Sequence, residues 1–352
     1  MSAASPVYRA ADYEAVKAQF EARRFRTTCG GTRSFHRISD ASGSLVSESK
    51  AAFTVANADW TSGAKRFLRA WFKDEHARSY EYIEHSYVRP EMRLSTVYYA
   101  FPEPRHIRLV STSTESEKNA NVAFFLDYVL LLVGDNPAHV EWLVAWLSDI
   151  MVSPHDKGPR PIAVVLCGAQ GSGKSSLREL MARLLGDRLV CHSGFFSPSN
   201  ARWKGNSALK YRLFVEFENI DFRAYRKTAK RIKAIVSDRA RMITQRGADP
   251  TCVKATERVL ITTSIANKVT LNTGDPLSAA FHTSARRVAD TAYWIEHYRK
   301  LGSASGPDAS QYIKDVAEYL LARKGSAASL VATLPVTDYS KFLFASGKGA
   351  IL

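Results

Sequence analysis

Apolar positions in the first 115 residues fall in short, mixed patterns. Residues 14–23 carry helical spacing, residues 33–38 read as extended, and Asp40-Ala41-Ser42-Gly43 has hairpin-turn chemistry. Over residues 60–82, Trp60, Phe67, Leu68, Trp71 and Phe72 predict a helical pair. Rings at that spacing are expected in a core rather than stacked on bases. The polar stretch STSTESEKN at 111–119 predicts a linker. Two strongly apolar helices follow, over 122–133 and 140–152, joined by Gly134-Asp135-Asn136-Pro137; packed together they predict a small helical subdomain. Beyond the break at 153–159, apolar β-prone runs at 162–166, 211–219 and 258–264 alternate with helical patterns, as in an α/β core. Residues 311–323 form one more amphipathic helix, with Tyr312, Val316, Tyr319 and Leu320 on a face.

The first of those β-prone runs leads into Gly168-Ala169-Gln170-Gly171-Ser172-Gly173-Lys174-Ser175, which fits G-x-x-x-x-G-K-[S/T]. Leu177, Leu180, Met181, Leu184 and Leu185 then recur at helical spacing, and Gly186 supplies a stop. Strand, glycine loop and helix in this order form a phosphate cradle, because glycines let backbone N–H groups approach a polyphosphate at a helix N-terminus. The predicted contacts to ATP come from Gly168, Gln170, Gly171, Ser172, Gly173, Lys174, Ser175 and Ser176, with Lys174 reaching the β/γ-phosphates and Ser175 holding Mg²⁺. Such a loop needs carboxylates facing the γ-phosphate. Glu216 and Glu218 supply them at the end of an apolar strand, on one face by alternation, with Glu218 chosen as general base and Mg²⁺ ligand. Asn267, past the third strand, is a candidate to orient the attacking water, and Arg286 and Arg287 are candidates for an arginine finger.

The formal net charge of +15 calls for a polyanionic partner. Basic residues concentrate between 222 and 241, where Ile232, Ile235 and Val236 mark a buried helix side and the bases face outward. A hairpin pattern over 241–254 follows, with Arg246 and Lys254 as the predicted contacts to DNA phosphates. Cys29, Cys167, Cys191 and Cys252 lack the spacing of a zinc site or disulfide framework. The N-terminus has no apolar core and neither apolar helix is long enough to cross a bilayer, so a soluble, cytoplasmic protein without a membrane partner is expected.

The four motifs in order, with Leu213-Phe214-Val215-Glu216-Phe217-Glu218-Asn219, Ile261-Thr262-Thr263-Ser264-Ile265-Ala266-Asn267 and Ala285-Arg286-Arg287-Val288 after the glycine loop, resemble the helicase core of superfamily 3. They are most similar to the virulence-associated-E and primase-helicase ATPases of phages and mobile elements. The resemblance implies an AAA+-like P-loop NTPase core at 159–300, an N-terminal mixed α/β accessory domain at 1–115, a helical subdomain at 116–158 and a C-terminal helix and tail at 301–352. It further implies a homo-oligomeric, hexameric ring that hydrolyses ATP between subunits and moves on single-stranded DNA; an RNA-directed viral ATPase is a separate rival reading. In that family Asn267 matches the sensor, and Arg286 or Arg287 the finger lent to a neighbour. Relatives often carry an acid at Asn219. That difference leaves a rival reading, a nucleic-acid-binding assembly protein with weak or no ATPase.

Overall fold

Alternation of large apolar and polar residues in the first hundred positions builds a small sheet with helices on one face. In the computed structural model these residues are α1 (Ala10–Glu21), β1 (Arg24–Cys29), β2 (Thr32–Ile38), β3 (Leu45–Glu48), α2 (Lys50–Ala56), α3 (Lys65–Lys73), β4 (Ser79–Tyr80), β5 (Tyr82–Glu84) and β6 (Val97–Tyr99). The structure describes residues 10–29, 32–38, 45–57, 60, 65–85, 87–88, 90–158, 162–192, 207–218, 226–245, 248–264, 278–302, 309–323 and 335. The chain divides into two units, Met1–Phe101 with Thr244–Thr251, and Pro102–Ile243 with Cys252–Leu352.

In the first unit the sheet order is β3-β2-β1-β4, antiparallel except for the parallel β1–β4 pair. Phe20, Phe35, Phe53, Phe67, Leu68 and Trp71 form its core, with Trp60 and Phe72 packed against them, so these rings do serve as core. Within the expected helical pair at 60–82, Trp60 and α3 are helical among the described residues, and the chain then passes into β4. Asp74 ends α3: it accepts from the His76 backbone N–H and pairs with Lys17 at 2.8 Å, so its side chain belongs to the turn.

From residue 102 onward the chain holds α4 (Glu115–Leu132), α5 (Pro137–Val152), β7 (Ala163–Cys167), α6 (Ser176–Leu185), β8 (Val190–His192), β9 (Phe214–Glu218), α7 (Arg226–Ser237), β10 (Ala240–Gln245), β11 (Ala248–Lys254), β12 (Arg258–Thr263), β13 (Ser278–His282), α8 (Thr291–Leu301) and α9 (Gln311–Leu321), all in the second unit but for Thr244–Thr251 of β10 and β11. Five strands pair in the order β13-β7-β12-β9-β8, every pair parallel. The chain is therefore mixed α/β with a parallel sheet. Strands β7, β12 and β9 are buried almost throughout, as expected where both faces of a parallel sheet are covered.

The predicted linker at 111–119 is instead ordered structure. Thr114 caps α4 and Glu117 returns the bond to the Thr114 N–H, a capping box that makes residues 115–119 the first turn of the helix. Ahead of it, Ser113 donates to Asp315 on α9 at 2.8 Å, and Asn121 does so at 2.7 Å. Helix α5 is buried from Trp142 through Met151 without interruption, the pattern of an interior helix rather than an amphipathic one. Trp142 lies 5.8 Å from Phe281 of β13, and Trp146 lies 6.1 Å from Phe214 of β9, so α5 covers the sheet. Among the described residues no helix is long and apolar enough to cross a membrane.

Helix α7 displays Lys230, Arg231 and Lys233 outward and buries Ile232, Ile235 and Val236, as its pattern predicts. Its last carbonyls are capped by a buried ammonium: Lys157 Nζ donates to Ile235 O at 2.6 Å and Asp238 O at 3.2 Å. The same amine lies 3.2 Å from Glu257, which also pairs with Arg241 of β10. Burial pulls Lys157 down to about 8, with Glu257 opposing the shift.

Candidate functional site

Strand β7, the glycine loop and α6 form one continuous element because each part obeys its own local rule. Gly171 and Gly173 adopt φ of 83° and 86°, the left-handed region where side chains other than glycine's are strained. Gly168 and Gly173 are also required by close approach, since a Cβ would collide with Thr283 Oγ1 at the first and with the Trp294 ring at the second. Added at Gly171, a Cβ would meet nothing within 4 Å, so that side of the loop is open. A curled glycine loop feeding a ten-residue helix is an anion-binding concavity.

A cavity of about 390 Å³ lies over this loop, lined by Gln170, Gly171, Gly173, Lys174, Ser175, Ser176, Glu218, Thr262, Ser264, Trp294 and Tyr298. It sits at the carboxyl ends of β9 and β12, where open α/β sheets place their ligands. Lys174 Nζ donates to the carbonyls of Gly168 at 2.9 Å and Ala169 at 2.7 Å, and to Ser172 Oγ at 3.2 Å. Burial lowers its pKa, partly offset by the Cys167 thiol and the Glu218 charge.

The two strand-end acids share a face but differ in depth. Glu218 reaches the cavity wall and lies 3.1 Å from His192 Nε2. Glu216 is fully buried one step behind, and it does not line the cavity. Arg178 Nε, from the first turn of α6, approaches it at 2.9 Å off the hydrogen-bonding direction, so the contact is an ion pair; Thr262 Oγ1 donates to it at 3.3 Å. Glu216, expected beside Glu218 as a catalytic carboxylate, thus lies buried behind the cavity: strand alternation sets the face, while its position two residues from the strand end sets its depth.

Burial pushes Glu216 up to about 7, Arg178 opposing and the Glu218 charge adding to the rise. Between the ordinary carboxyl value of 4.5 and about 7, the folded chain keeps a proton that the unfolded chain releases. The stability tied to this group thus falls as pH rises through that window. Glu216→Gln should accordingly be more stable than wild type by about 1–3 kcal/mol at pH 8 and nearly equal to it at pH 4.5, measured by urea unfolding at both.

Arg286 pairs with Asp127 at 2.8 Å and Asp135 at 3.2 Å, and Arg287 pairs with Asp290 at 2.7 Å while lying over the Tyr293 ring at 4.7 Å. Neither lines the cavity of its own chain. Lys254 is exposed on β11. Asn267, Arg246 and Asn219 lie outside the described residues.

Sequence reasoning missed Thr283, Trp294, Tyr298, Tyr128, His192 and Arg178. Thr283 and Ser172 share a hydroxyl bond at 2.7 Å, Tyr298 and Ser176 one at 3.0 Å, and Tyr128 donates to Gly173 O at 2.9 Å. The one local signal was Arg178, which a helical turn after the loop aims toward a neighbouring strand; the others arrive from distant segments.

No family model matches the chain, and no curated protein does. Solved structures do resemble it. An apo structure of the NrS-1 C-terminal region (305–718) aligns with a TM-score of 0.64 at 13% identity, covering 99% of this chain and 76% of that one. An A-form apo structure of the same region gives 0.62 at 12%, with 99% and 76% covered. A further A-form structure gives 0.60 at 12%, with 96% and 74% covered. At such identity the shared property is the fold.

Proposed function

We propose that this chain is an ATP-dependent DNA translocase or helicase motor of superfamily 3 type, with an AAA+-like P-loop core, serving replication of a phage or mobile element. The observation carrying this reading is the single cavity in which Lys174, Ser175 and Glu218 meet at the carboxyl ends of the parallel strands. ATP phosphates would lie over the glycine loop, where the Lys174 amine exchanges neutral carbonyl acceptors for charged oxygens. Mg²⁺ fits this donor set. Among the described residues no group of three His, Cys, Asp or Glu could hold a metal alone, and a hydroxyl and a carboxylate completed by phosphate oxygens and water suit Mg²⁺. When bound, it supplies neutralisation of charge on the β/γ-phosphates. Ser175 and Glu218 would hold it, and Glu218 would take the proton of the attacking water. An arginine from a neighbouring protomer of a hexameric ring would complete the site. The exposed bases of α7 and the hairpin of β10 and β11 would meet the strand's phosphates.

The deciding experiment measures ATP turnover alone, with single-stranded DNA and with RNA. The expected result is turnover raised severalfold by DNA, with DNA affinity falling at least tenfold between roughly 50 and 200 mM salt. Turnover indifferent to both nucleic acids would remove the motor reading. The assembly-protein reading draws on one observation, that Arg286 and Arg287 are each engaged by carboxylates of their own chain. It requires DNA binding without turnover in that assay.

A further inference from the structure

The segment carrying the two arginines is fastened to the phosphate loop at both ends. At its start, the Thr283 N–H donates to Cys167 O at 2.7 Å and its hydroxyl meets Ser172. At its far end, the Trp294 ring fills the space beside Gly173 that a side chain there would need. The same indole donates through Nε1 to the Arg287 carbonyl at 2.8 Å. Between these anchors the chain turns sharply, with Ala289 at φ 67° in the left-handed region. Trp294 thus touches the glycine of the loop with one edge and the arginine backbone with another. A shift of Gly173 moves the indole, and the indole moves the turn, because packed side chains transmit displacement rather than absorb it.

We propose that Trp294 is a positioning residue. It ties the phosphate loop of a protomer to the arginine turn which that protomer presents to its neighbour, so that occupancy of one site sets the arginine of the next. This rests on the motor reading above. The Asp290 N–H also donates to the Arg287 carbonyl, at 3.1 Å, so the turn keeps one of its two bonds when the indole donor is removed.

The test is Trp294→Phe, which keeps an aromatic ring beside Gly173 and removes the N–H, assayed alone and mixed with Glu218→Gln. Alone, it should lose about tenfold in kcat with KM for ATP held within about twofold. Mixed with the inactive Glu218→Gln protein, which still binds ATP and whose own arginine turn is intact, its turnover should recover to well above the sum of the two proteins alone. Absence of that rescue, or a rise in KM without a fall in kcat, would overturn the assignment and make Trp294 a wall of its own pocket. Should Trp294→Phe fail to fold, 3-benzothienylalanine at position 294, an isostere without the N–H, carries the same mixing test. A wild-type protein without turnover sinks the motor reading and this assignment with it; an active wild type beside an equally active variant sinks this assignment alone.

Discussion

Lys174→Ala should abolish ATP turnover, by at least about 10²-fold, while leaving the fold in place. The amine is buried and fixed by three acceptors of its own loop, so its position over the glycine curl is set in advance. Preorganised charge aimed at developing negative charge is worth several kcal/mol in a half-enclosed site, far more than in water. The structural cost of truncation is smaller. Two carbonyls and a hydroxyl each lose one donor, about 1–3 kcal/mol at most for groups beside a cavity that water can enter. The β7–β12 and β7–β13 ladders that carry the loop involve backbone alone and stay intact. Single-turnover hydrolysis and a thermal melt, run on the same preparation, separate the two effects. Turnover within threefold of wild type would remove Lys174 from the mechanism.

The parts of this architecture legible in the sequence are those written in adjacent residues. Strand β7, the glycines, and the Leu177 to Leu185 stripe of α6 each follow from local sterics and a single period, and all three appear where that pattern puts them. Strand order is different in kind. An apolar run says that a strand is buried, not which strand lies beside it, and so the insertion of β12 between β7 and β9 came only from the structure. Strand β13 was missed outright, because Ser278-Ala279-Ala280-Phe281-His282 is short, small and without alternation; its partners are β7 and the rings of α5, far away in the chain. The capping box at Thr114 and Glu117 was legible, yet its polar composition read as linker. In the site itself, the loop and Glu218 were visible, whereas Thr283 reaches the loop, and Trp294 and Tyr298 the cavity, from more than a hundred residues downstream of Gly168.

Glu218→Gln should bind ATP as wild type does and lose hydrolysis by about 10²–10³-fold, whereas Glu216→Gln should keep most of its turnover. The choice between these acids is instructive because the raised pKa of Glu216 points the other way. Burial pushes Glu216 up to about 7, where a general base is most effective. Geometry takes precedence, since a base must touch the proton it removes. Glu216 has no exposed surface, faces Arg178 and Thr262, and stands behind the wall that Glu218 forms. Its raised pKa records burial, with the Glu218 charge next door adding to the rise. The amide of Glu218→Gln preserves shape and can still bond His192, so lost turnover with unchanged nucleotide affinity isolates the carboxylate's proton-accepting role. If Glu216→Gln proved the more damaging change, then water must enter behind β9 during the reaction, and the closed wall described here would have to open with nucleotide bound.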